Sequence, residues 1–122
     1  MDMPLKFRAL AVLTMLAASP LEAGERVSMR VAPAHAFEPA TVRVTAVVER
    51  DAQNRAMEIV ADSGAFYRSS LIPLEGASAP RTTTIDVQGL PGGDYEVRVI
   101  LLDAGGRSRA TAVQRVDVIS NR

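Results

Sequence analysis

From residue 24 onward, apolar side chains fall on every second position in short runs, and turn-forming residues separate the runs. In residues 26–31, Val27, Met29 and Val31 alternate with Ser28 and Arg30. In residues 40–49, Val42, Val44, Ala46 and Val48 alternate with Thr41, Arg43 and Thr45. A two-residue period turns one face of a strand to a core and the other to water, so both segments read as half-buried strands. Residues 56–61 follow with Met57, Ile59 and Ala61 inward, and residues 82–87 with Ile85 and Val87 inward. Residues 66–74 alternate more weakly and end near Pro73, as an edge strand or irregular crossover does. Pro33 and Pro39 bracket an extended connector, and residues 75–80 read as loop. A Gly-rich hairpin turn at 103–108 leads to a last strand over 110–119. There Val113 lies on the opposite parity to Val116 and Val118, and a β-bulge between Thr111 and Arg115 would restore a single register. About seven short strands with no helical period predict an all-β Greek-key sandwich.

The stretch from 89 to 102 organises the rest. Gly89, Pro91, Gly92 and Gly93 supply turn chemistry, and Tyr95, Val97, Val99 and Leu101 then alternate with Glu96 and Arg98. A tyrosine at such a corner buries its ring and bonds its hydroxyl to backbone a few residues upstream. Leu90, Gly93, Asp94, Tyr95 and Val97 resemble the tyrosine corner of immunoglobulin-like and fibronectin type III-like sandwiches. That resemblance implies a seven-stranded antiparallel immunoglobulin-like sandwich with Leu90, Gly93 and Tyr95 as its structural corner. It also implies Val44 and Val97 where antibody domains carry their disulfide, and Met57 or Ile59 where they carry a core tryptophan.

The N-terminal residues change the compartment. Lys6 and Arg8 precede an apolar run over 9–18, Pro20 breaks it and Ala23 offers a small residue at the exit, which are the parts of a secretory signal peptide. The run is shorter than the ~20 apolar residues a membrane-spanning helix needs. The expectation is a signal peptide over 1–23 and one β-sandwich domain over 24–122, exported to the periplasm or the exterior, with no transmembrane span in the mature chain. The absence of cysteine excludes disulfides, thiol catalysis, thiolate metal sites and a lipidated cysteine anchor. Fourteen basic residues balance fourteen acidic ones, which argues against a nucleic-acid partner or an anionic membrane surface.

Little in the chain carries chemistry. His35 is the sole histidine, and there is no GxSxG, no HExxH and no second imidazole or thiol, so no catalytic residue, metal or cofactor is expected. Arg107 and Arg109 flank a flexible hairpin loop, where a guanidinium either grips an anion or serves solubility. Phe66, Tyr67, Leu71, Ile72 and Leu74 form the richest apolar cluster outside the regular strands. Ile100 and Leu102 add to it, because they share the outward parity of Glu96 and Arg98. The segment either covers the sandwich edge or presents an interaction edge. The reading is a non-enzymatic module for protein–protein interaction or structural support in the bacterial cell envelope, a monomer or weak dimer with an unknown protein partner. A small-ligand or carbohydrate-binding module is the alternative, with only Phe66 and Tyr67 as aromatic platforms outside the corner.

Overall fold

A computed structural model describes residues 26–121. The signal peptide expected over 1–23 lies outside them. The described residues form eight strands: β1 (Val27–Ala32), β2 (His35–Phe37), β3 (Ala40–Val48), β4 (Ala56–Asp62), β5 (Tyr67–Pro73), β6 (Thr82–Leu90), β7 (Gly93–Leu102) and β8 (Ser108–Ile119). One sheet has the order β1-β3-β6 and the other β2-β8-β7-β4-β5. A 3₁₀ turn, Gly76–Ser78, sits in the β5–β6 connection.

The two inner faces supply a valine-rich core. Val42, Val44 and Ala46 of β3 and Val97 and Val99 of β7 are fully enclosed, with Met57 and Ile59 of β4 beside them. β3 shows the alternation most plainly, buried at Ala40, Val42, Val44, Ala46 and Val48 and open between. Burial of such β-branched side chains is worth about 1.5–3 kcal/mol each, enough for a domain without disulfides.

The structure corrects the expected fold. The layers are not a flat seven-stranded immunoglobulin-like Greek key: there are eight strands, and one sheet curls into a half-barrel. The extra strand is β2, three residues inside the segment expected to be a bare connector, and it runs parallel to β8 with His35 beside Asp117 and Phe37 beside Ile119. The chain therefore crosses from the smaller sheet to the larger one between Ala32 and His35, joining them along one side. Gln114 of β8 closes the same side: its amide accepts the Val31 N–H at 3.1 Å and donates to the Val31 carbonyl at 3.0 Å.

That contact also corrects the expected bulge between Thr111 and Arg115. Pairing of β7 with β8 is regular from Gly93–Val118 to Leu101–Ala110, and the shift comes at Leu102–Ser108, leaving Arg109 as the extra residue. Val113 faces outward, and Gln114 takes the inward place because its amide serves the β1 backbone. The apolar period breaks where two sheets are tied.

Candidate functional site

β5 is the edge of the five-stranded sheet, hydrogen-bonded to β4 on one side only, and six of its seven residues are exposed. A tight turn delivers it. Asp62 Oδ1 accepts the Gly64 N–H at 2.8 Å, and Ser63 exchanges bonds with Phe66, its N–H donating to the Phe66 carbonyl at 2.9 Å and its hydroxyl accepting the Phe66 N–H at 3.1 Å. From there β5 pairs with β4 without a register break, from Tyr67–Asp62 to Pro73–Ala56.

The period of the sheet divides the apolar cluster read from sequence. Ile72 lies opposite Met57 and packs against the core. Phe66 does the same from the turn, its ring edge-on to Tyr95 at 6.3 Å between centroids. Tyr67 and Leu71 point the other way and are 58% and 65% exposed. On the same outer face Ile100 and Leu102 of β7 are half-buried, and Glu58 of β4 separates Leu71 from Ile100. Val60 is buried on this face without belonging to the core, with Ser69 and Arg98 as its cross-strand neighbours. The structure thus places Tyr67, Leu71, Ile100 and Leu102 on one face without joining them into a continuous apolar patch, and turns Phe66 and Ile72 to the other face.

Four further apolar positions are exposed, Phe37, Val47, Val113 and Ile119, and two of them belong to the far edge and outer face of the larger sheet in a way that the sequence reading missed. Val113, 54% exposed, extends the outer face onto β8 opposite Arg98. It shares its parity with Arg115 and Asp117, which was the signal. Phe37, 66% exposed, sits beside Ile119 at the far edge of the sheet, and no pattern in a three-residue strand announces it.

Part of the charge on the outer face is internally paired. Arg98 donates to Glu96 at 2.7 Å and lies 3.8 Å from Asp62, and the Glu96 bond holds its guanidinium more firmly protonated than usual. The two loop arginines differ. Arg107 is open to solvent, 3.9 Å from Asp103. Asp103 caps the hairpin by accepting the N–H groups of Gly105 and Arg107, each at 2.9 Å, and the Arg107 N–H is the main cause of its lowered pKa. Arg109, re-aimed by the bulge, bonds to Asn54 Oδ1 and reaches Asp51 at 3.4 Å. Asn54 is 2% exposed and donates to the Glu49 carbonyl at 2.9 Å, so Arg109 is part of a loop brace. The Asp51 carboxyl is held below its ordinary value, first by the Gln53 N–H and then, more weakly, by Arg109.

At the corner, Tyr95 is fully enclosed and donates its hydroxyl to the Pro91 carbonyl at 2.7 Å. Leu90 is also enclosed, and a Cβ on Gly93 would stand 3.2 Å from Ser63 Cβ, so only glycine fits there without displacement. Glu38 ties the turn to the start of β3 by accepting the Gly92 N–H at 2.7 Å.

No family model matches the chain. A search of curated proteins finds no match. Solved structures do match. A protein of Corynebacterium diphtheriae, named as a presumed membrane-anchored protein, aligns over 80% of this chain with a TM-score of 0.59 and 11% identity. The chain spans 22% of that protein's length. The superoxide reductase (neelaredoxin) of Ignicoccus hospitalis aligns over 85% of this chain and 87% of its own, with a TM-score of 0.55 and 10% identity. A singly substituted variant of that enzyme aligns over 85% of this chain and 86% of its own, with a TM-score of 0.52 and 12% identity. These likenesses show a neelaredoxin-like β fold in place of the immunoglobulin-like or fibronectin type III-like resemblance of the corner residues. A tyrosine corner secures a β crossover without specifying the family that uses it.

Identities this low show the fold alone. Superoxide reduction calls for a redox centre, and the residues present do not fit a metal one: the chain has no cysteine, and His35 is exposed beside Asp117 at 3.7 Å. Among the described residues no three of His, Asp and Glu gather where they could hold a metal ion. No described helix is long and apolar enough to cross a membrane.

Proposed function

We propose that the chain is an exported, non-enzymatic interaction or structural module of the bacterial cell envelope, and that it makes contact through β5 and the adjoining outer face. The observation that carries this is an edge strand, paired on one side only, with Tyr67 and Leu71 both more than half exposed and facing the same way. Unpaired strand edges are templates for another strand, and outward side chains on alternate positions lend such pairing its specificity. The signal-peptide pattern over 1–23 supports export. The Corynebacterium likeness supports a modular role, because there a fold like this one makes up a fraction of a longer protein named as membrane anchored.

The test is recovery of partners from the native envelope with unaltered protein, Tyr67→Ala and Leu71→Ala. Both side chains point into solvent, so each substitution leaves folding stability within about 0.5 kcal/mol. The expected result is loss of partner recovery at unchanged melting temperature. Recovery at the unaltered level with both variants overturns the assignment of this edge.

A further inference from the structure

The geometry points to a second copy of this chain as an occupant of the β5 edge, paired antiparallel about a two-fold axis at Ser70. This rests on the reading of β5 as a contact edge. The strand complements itself. With Ser70 on the axis all seven residues of Tyr67–Pro73 are matched: Tyr67 with Pro73 of the other copy, Arg68 with Ile72, Ser69 with Leu71, and Ser70 with its equivalent. Each neighbouring register that preserves the faces leaves strand residues unmatched. With the axis at Leu71, Tyr67 falls opposite Glu75, beyond the strand; with the axis at Ser69, Pro73 falls opposite Ala65, in the turn.

In the full register no like charges meet. Arg68 is the only charge on the strand, and its guanidinium is held within its own copy, bonded to the Gln88 carbonyl and stacked over the Phe66 ring at 5.2 Å. Two of the devices that usually keep an edge from pairing are missing, since β5 has no lysine and no bulge against β4; its proline, at the last position, withholds one N–H from each Tyr67–Pro73 pair and leaves the bonds of the Ser69–Leu71 pairs intact. The chain carries no formal net charge, so two copies approach without long-range repulsion. A seven-residue strand with its outward side chains buries less than the ~1,200 Å² of a standard interface, so the pairing is weak and concentration-dependent.

Ser70→Cys tests the axis in a chain that has no cysteine of its own. Directly opposed residues of an antiparallel pair stand about 4.5–5.5 Å apart at Cα, inside the range a disulfide spans. Val113→Cys, exposed on β8 away from the edge, is the control. Under mild oxidation Ser70→Cys is expected to form a covalent dimer about tenfold faster than Val113→Cys. The unaltered protein is expected to sediment as a monomer–dimer mixture between about 10 μM and about 1 mM, with Leu71→Lys weakening the dimer about tenfold. Cross-linking of Ser70→Cys no faster than the control, or a strict monomer throughout that range, overturns the proposal. If the protein is monomeric while Tyr67→Ala still lowers partner recovery, self-pairing falls and the contact-edge reading stands.

Discussion

Replacing Tyr95 by phenylalanine isolates the hydroxyl that fastens the corner. The ring is fully enclosed and its hydroxyl donates to the Pro91 carbonyl at 2.7 Å, so Tyr95→Phe keeps the packing and removes one bond. A buried hydrogen bond contributes about 1 kcal/mol net, and stranding its acceptor brings the loss to about 1–3 kcal/mol. For a domain of this size each kcal/mol lowers the melting temperature by about 4–8 °C. Burial is the main cause that holds the Tyr95 phenol above its ordinary value of 10.0. A raised folded-state pKa means that the unfolded chain loses this proton first. The contribution is therefore complete below about pH 10 and fades as pH rises through the folded-state value. Calorimetric melts of both proteins from pH 7 to pH 11 check this: the unaltered protein is the more stable at pH 7, and the gap narrows above pH 10. A difference at pH 7 within a few tenths of a kcal/mol, or one that stays flat to pH 11, refutes the reasoning.

Other contacts give three further outcomes. Asn54→Ala strands the Glu49 carbonyl and deprives Arg109 of one of its two partners, so urea unfolding is expected to show a loss of about 1–3 kcal/mol, whereas Arg107→Ala changes stability by less than about 0.5 kcal/mol. Gln114→Leu leaves the Val31 N–H and carbonyl without the amide that tied them, and the same assay is expected to give a loss of about 2 kcal/mol. The lowered pKa of Asp103, caused first by the Arg107 N–H, gives stability that is present above the unfolded value and lost as pH falls through the folded one, so Asp103→Asn flattens the acid limb of the stability curve.

How much was legible in the sequence depended on how far apart the deciding residues lie. β3 and β7 were plain, because each carries its own alternation and the turn residues before Tyr95 are adjacent to it. β2 was hidden, since three residues between prolines make no period and its pairing with β8 spans about eighty positions. Gln114 looked like an error of register, because its reason, the Val31 backbone, lies 83 residues away. The apolar cluster at 66–72 was visible as composition, but only the β4–β5 register tells Tyr67 and Leu71 from Ile72. Arg107 and Arg109 looked equivalent until the bulge sent one of them to Asn54. Strand periodicity says nothing of which sheet a strand joins, so the division into three and five strands, and with it the fold family, was out of reach.

The claim that β5 and its outer face make the contact is tested most directly by photo-cross-linking in the native envelope. A photoreactive residue is placed in turn at Leu71 and at Val47, which is also exposed, though less so, and lies on the other sheet. The account predicts adducts from position 71 and none from position 47. Equal yields, or adducts from position 47 alone, contradict it.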